Sequence, residues 1–168
     1  MRTLFLALKA LFFLSCFVLL WGWIASGLPP YDQRLGVDLP PGAVPAGIGF
    51  MLPGGALALA CVGLFVVRGR GTPAPFDAPK QFVAAGPYRY MRNPMYIGAW
   101  LVLIGFGLYR RSASILLFCL VWILGAHLLV LCYEEPTLRR KFGKSYEDYC
   151  RLVPRWIPKR DGHQPPAC

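Results

Sequence analysis

Acidic side chains are scarce in this chain: eight Asp and Glu stand against 18 Lys and Arg in 168 residues. Charge of either sign is scarce too, at 15%, whereas 56% of the residues are hydrophobic. So little charge excludes an ordinary soluble domain and reads as a polytopic membrane protein. It also argues against nucleic acid as a partner, and assigns the formal charge of +10 to basic loops facing anionic lipid headgroups. Soft ligands are few. No close pair among Cys16, Cys61, Cys119, Cys132, Cys150 and Cys168 has metal-ligand or redox spacing, so buried free thiols are the expectation and a metal centre is not. The terminal Pro165-Pro166-Ala167-Cys168 is no prenylation box, because its cysteine is last rather than fourth from the end.

Apolar sequence is what the chain has in quantity. Four stretches, residues 4–25, 43–67, 93–109 and 112–131, approach the ~20 residues that cross ~30 Å of hydrocarbon. They predict an all-α membrane bundle of about four transmembrane helices. One domain spans 1–168, with N-terminal spans in 1–78 and a hairpin and tail in 79–158. The first stretch has a rival reading as a signal peptide, since Arg2 and Lys9 flank its start and Ala25-Ser26-Gly27 resembles a cleavage site. Trp21 and Trp23 instead fit the interfacial aromatic belt of a retained span. Pro53-Gly54-Gly55 predicts a kink or break in the second span.

Loop charges set an orientation. Residues 26–42 hold Arg34 against Asp32 and Asp38, whereas residues 68–92 hold Arg68, Arg70, Lys80, Arg89 and Arg92 against Asp77 alone. The positive-inside rule puts the second loop, and with four spans both termini, in the cytoplasm. Arg110 and Arg111 break the rule from a hairpin too short to resist its neighbours, with both side chains expected to snorkel to the interface. Beyond Pro136, Leu138, Phe142, Tyr146 and Tyr149 draw an apolar stripe through Arg139, Arg140, Lys141, Lys144, Glu147 and Asp148. That is an amphipathic helix lying on the membrane or capping the bundle, with Gly143 as its expected break and Trp156 as an interfacial anchor.

The most informative stretch is Gly86-Pro87-Tyr88-Arg89-Tyr90-Met91-Arg92-Asn93-Pro94-Met95-Tyr96, cations and aromatics at the threshold of the third span. A second polar cluster, Tyr133-Glu134-Glu135-Pro136, follows the fourth span, so both clusters fall on one side of a helical hairpin. A carboxylate leaving hydrocarbon must be paired, protonated or ligand-bound to meet its desolvation cost. Two readings are open: a solvated pair bridged to Arg139 or Arg92, or a specific partner such as a cation or a ligand hydroxyl. A position at the C-terminal end of a helix dipole favours the second. His127, seven residues before Glu134, projects from nearly the same face, either to move a proton and orient a ligand or to bond a neighbouring helix. His163, in the polar tail, carries no expectation.

These blocks resemble the isoprenylcysteine carboxyl methyltransferase and phospholipid methyltransferase group of integral membrane enzymes. The resemblance runs from about Pro79 to Pro158 through Gly86-Pro87-Tyr88 to Tyr96, Glu134-Glu135, and Phe142-Gly143 to Val153-Pro154-Arg155. It implies S-adenosylmethionine as methyl donor, held at the cytoplasmic side by Tyr88, Asn93, Pro94, Met95, Tyr96 and Glu134. Lys80, Gln81, Phe82 and Val83 add contacts from the preceding loop. The residue types suit that cofactor, since tyrosines can face a base or sulfonium, a carboxylate can accept ribose hydroxyls, and amides can hold the amino-acid end. Nothing resembles the Gly-rich loop of a soluble Rossmann methyltransferase.

Glu135 or His127 would take a proton from an amine or thiol nucleophile, and Arg92 would position a headgroup phosphate or carboxylate. Two departures bear on the acceptor. Asn93 stands where the commonest family form has histidine, which removes titration and keeps hydrogen bonding. Val130 stands where members acting on isoprenylcysteine have a substrate-contacting arginine, so a carboxylate acceptor loses its counter-charge. A lipid amine, a thiol or another small amphiphile is then expected. The alternatives are an NADPH-dependent membrane reductase of the sterol-reductase type, whose C-terminal region resembles the same blocks, and a non-catalytic membrane protein that keeps the fold for binding.

Overall fold

The structure, a computed structural model, describes residues 2–69 and 84–159, which are helical with no strand among them. Its main elements are α1 (Arg2–Ser26), a short α2 (Asp32–Leu35), α3 (Ala43–Leu64), α4 (Pro94–Tyr109) and α5 (Ala113–Leu129). Those of α1, α3 and α5 lie in apolar helical stretches long enough to cross a membrane, and α4 is a shorter apolar helix. With 16 residues α4 measures about 24 Å, so it spans hydrocarbon only where the bilayer is thin or locally adapts. Its start is fixed by sequence: Asn93 is the N-cap and Pro94 occupies the first turn, where a missing N–H costs nothing. At α5 the Ser112 hydroxyl accepts from the Ile115 amide at 3.3 Å.

Glycine determines how α3 and α4 meet. Gly47 and Gly54 on α3 stand seven residues apart, as do Gly98 and Gly105 on α4, and the antiparallel pairing sets Gly47 against Gly105 and Gly54 against Gly98. A Cβ on Gly47 would come within 2.5 Å of the Gly105 oxygen, and one on Gly98 within 2.8 Å of the Gly54 oxygen. The two backbones therefore touch, which is how membrane helices gain dispersion energy when lipid is as apolar as leucine. This explains the second span better than a break does. α3 continues through Pro53, because one lost hydrogen bond is tolerated in an otherwise intact apolar helix, and Gly54 beside it is a contact point for α4.

α1 lies along the bundle, with Ala10 packed on Val62 and Val66 near one end. Further along, Phe17 and Trp21 meet Trp122, with Trp21 also against Phe118. Trp21 is thus part of a helix–helix contact rather than an aromatic belt, while Trp23 is exposed. At the end of the bundle where α4 turns into α5, Asp32 accepts from the Ser114 amide at 2.7 Å. There Arg111, with a positive φ of 52°, donates from Nε to the Leu39 carbonyl at 2.6 Å. Arg111 is therefore tied to the first loop and does not snorkel.

At the opposite end α5 does not stop. A π turn, Val130–Glu134, carries it into α6 (Glu135–Phe142), and after Gly143, at φ 54° and ψ −131°, comes α7 (Lys144–Leu152). Glu134 and Glu135 consequently sit within a continuing helix, and the expected penalty at a dipole's C-terminus does not arise. The predicted apolar stripe turns inward: Tyr146, Tyr149 and Val153 are buried with Leu138, Phe142 and Ala84 packed on them.

Candidate active site

The two polar clusters converge. Gly86, at φ 56°, opens the turn Gly86–Arg89 and buries Tyr88, whose ring meets Phe65 edge-on at 5.5 Å and whose carbonyl accepts from the Tyr149 hydroxyl at 2.7 Å. Between this turn, the start of α4, the π turn and the α6–α7 roof lies a cavity of about 120 Å³. Tyr88, Arg92, Asn93, Met95, Tyr96 and Glu134 line it, with Val130, Glu135 and the aromatic rings of Phe65, Phe142, Tyr146 and Tyr149. Burial pushes the phenols of Tyr88, Tyr146 and Tyr149 well above the usual tyrosine range, so all three are neutral donors at physiological pH.

The paired glutamates have different partners. Glu135 is buried and takes a two-pronged contact from Arg155, Nε to Oε1 at 2.6 Å and Nη2 to Oε2 at 3.0 Å, with Arg92 Nη1 at 3.1 Å. This fork geometry is the strong form of a carboxylate–guanidinium pair. The hydrogen bonds to Glu135 raise the Arg155 guanidinium further above its ordinary value, so it stays a cation. Glu134, half-buried on the cavity wall, receives only the Tyr96 hydroxyl at 2.5 Å and no cation among the described residues. Among the described residues the site therefore holds one neutralised carboxylate and one without a cation.

The segment after α7 folds back and locks this arrangement. The Arg92 amide donates to the Pro154 carbonyl at 2.9 Å, the Lys159 amide to Tyr90 at 3.0 Å, and the Asn93 side-chain amide to the Arg155 carbonyl at 3.3 Å. Trp156 stacks on Trp100 with ring centres 4.6 Å apart, and its indole N–H donates to His127 Nδ1 at 3.0 Å. Trp156 is thus an internal strut of the site rather than the interfacial anchor its position suggested. By accepting at Nδ1, His127 carries its proton on Nε2.

Of the residues singled out in the sequence, Tyr88, Arg92, Asn93, Met95, Tyr96, Glu134 and Glu135 line one cavity together with Val130. Pro94 is buried as the first residue of α4 and is outside the lining. His127 is outside the lining, one aromatic ring away through Trp156 and Tyr96. Lys80, Gln81, Phe82 and Val83, with His163, lie outside the described residues. Arg92 is engaged with Glu135 and Cys150, yet its buried Nε has no partner among the described residues. Sequence reasoning gave Arg155 no role, and read Tyr146 and Tyr149 only as an apolar stripe. The excess of arginine over acid near the tail was the available signal for Arg155, since two carboxylates leaving a membrane need cations.

The sequence matches the phospholipid methyltransferase family over residues 46–145, more than half of the chain. The chain belongs to that family. Its members are integral membrane methyltransferases, and the apolar helices here agree with that class. The match begins within α3, earlier than Pro79, so the glycine-packed α3–α4 pair lies inside the family region along with the π turn and both glutamates. No curated protein and no solved structure is similar enough to match.

Proposed function

We propose that this family member transfers a methyl group from S-adenosylmethionine to a lipid or small amphiphilic acceptor, at the end of the bundle that carries Arg92 and α6. The observation that carries this reading is the division of labour between the glutamates. Glu135 pairs with both Arg155 and Arg92, so among the described residues Glu134 faces the cavity without a counter-ion, beside neutral tyrosines. Such a lining favours a ligand with hydroxyl donors and positive charge, through charged hydrogen bonds and cation–aromatic contact. NADPH is the less favoured case, since its several phosphates call for several cations, whereas the described lining offers one arginine, which Glu135 holds through Nη1 and which has a single donor, Nε, to spare. At about 120 Å³ the cavity is below the ~300–1,000 Å³ of sites holding a whole drug-sized ligand, and it receives the part of the cofactor its lining recognises.

When bound, S-adenosylmethionine supplies an electrophilic methyl on a sulfonium. Glu134 would accept the ribose hydroxyls, with Tyr96 steering its carboxylate, and Tyr88 and Met95 would give apolar contact. The protein's main tasks are alignment and exclusion of water, for which the tail strap and the α6–α7 roof serve. The Nε donor of Arg92 suits a headgroup phosphate oxygen. Glu135, paired twice, fits a positioning role, and His127 holds Trp156. Val130, buried in the cavity wall, offers no counter-charge to a carboxylate acceptor, which leaves an amine or a thiol. The loop charges put this end in the cytoplasm, where the cofactor arrives, and the acceptor enters from the lipid side.

A radiolabelled methyl donor incubated with membranes tests this. Label should appear in an organic-extractable product, or as a trapped volatile thioether, and should survive mild base. Activity should rise with pH until the nucleophile is deprotonated. Release of labelled methanol by base would mean that an ester was formed and would overturn the argument from Val130.

A further inference from the structure

The roof of the cavity has a second face. Leu138, Phe142, Tyr146 and Tyr149 look into the site, while Arg139, Arg140 and Lys144 are exposed on the other side of the same two helices. No acidic residue occurs between Glu135 and Glu147, and Glu135 is buried in its pair with Arg155 and Arg92. Arg139 and Arg140 therefore stand on the surface, with Glu135, one turn before Arg139, already held by Arg155 and Arg92. Further on, Glu147 and Asp148 lie one turn before Arg151, so the excess positive charge is concentrated in α6 and at Lys144.

The position of this patch is fixed by the fold. α6 continues α5 through the π turn, and the whole helical stretch Ala113–Phe142 qualifies as one long apolar span with α6 as its exit. A basic stretch immediately after a span sits within a Debye length of the headgroups, where an anionic leaflet attracts each Lys and Arg. We infer that Arg139, Arg140 and Lys144 form a docking surface for anionic phospholipid headgroups, and that this contact holds the α6–α7 roof down over the cavity. The occupant is lipid of the surrounding bilayer, because charge is complementary and the patch grows directly out of the membrane helix. The second half of the inference rests on the cavity being the methyl-donor site. The first half does not.

The test has two arms. In native mass spectrometry, detergent-solubilised protein given equal phosphatidylglycerol and phosphatidylcholine should retain phosphatidylglycerol several-fold more. The triple variant Arg139→Gln/Arg140→Gln/Lys144→Gln should bring retention to parity, while Arg151→Gln/Lys159→Gln keeps the preference. Equal retention by the unaltered protein, or a preference that survives the triple variant, would overturn the docking surface. In the second arm, S-adenosylhomocysteine should bind several-fold more tightly in nanodiscs containing phosphatidylglycerol than in phosphatidylcholine alone, and high salt or the triple variant should erase the difference. Equal binding in both discs would overturn the coupling to the roof, and absence of binding in both would contradict the methyl-donor site while the retention experiment still decides the docking.

Discussion

The two ends of this bundle are fastened by different chemistry. At the α4–α5 turn, polar side chains satisfy backbone groups: Asp32 takes the Ser114 amide, Ser112 takes Ile115, and Arg111 reaches the Leu39 carbonyl. Two of those contacts satisfy amides at the start of α5, and the third ties the α4–α5 turn to the first loop. At the other end, side chains fasten one another, with Arg92 and Arg155 on Glu135 and Trp156 on His127. That end also keeps Glu134, a carboxylate with no cation among the described residues. The contrast teaches that the α4–α5 end (the far end) is tied through backbone groups, whereas the α6 end (the near end) joins side chain to side chain around a carboxylate that has no cation among the described residues.

Placing the two ends on opposite sides of the membrane is the strongest way to sharpen this contrast, and the effect should be nearly all-or-none. In a background lacking native cysteines, Asp38→Cys should react with an impermeant thiol reagent applied outside, and Ser145→Cys should be shielded until the membrane is opened. The reverse pattern would overturn the cytoplasmic assignment of the site.

Next in size is the loss of Glu135. Glu135→Ala leaves two largely buried guanidinium groups without their carboxylate, and breaking such a pair costs about 3 kcal/mol or more. A large fall in thermal stability together with loss of ligand binding is expected. Retention of full stability would mean that the pair does not hold the tail. At the opposite end Asp32→Ala should lower stability by about 1 kcal/mol, the usual scale for a lost helix-start acceptor, and leave ligand affinity unchanged. If Asp32→Ala weakened binding as much as a change at the site, the separation of the two ends would fail.

Much of the near end was legible because its parts carry local signals. Asn93-Pro94 marks the start of α4, Gly143 marks the bend between α6 and α7, and the stripe through Leu138, Phe142, Tyr146 and Tyr149 names the buried face. What was not legible depends on distance or on one residue of helical phase. Nothing in the sequence near Val130 announces a π turn, so α5 was expected to end before Glu134, and with it came a dipole argument that the continuous helix removes. Arg155 and Trp156 find partners 20 and 29 residues away, beyond any periodicity a single helix displays. The glycines of α3 and α4 were visible at spacing seven, yet only their pairing across two helices gives them meaning.

The most direct test of the account is calorimetric titration of the purified protein with S-adenosylhomocysteine, beside the Glu134→Gln variant. The unaltered protein should bind, and the variant should bind about tenfold to a hundredfold more weakly, the ~1.5–3 kcal/mol of a charged hydrogen bond to a ligand hydroxyl, with thermal stability little changed. Equal affinity in the variant, or binding of NADPH in place of S-adenosylhomocysteine, would contradict it.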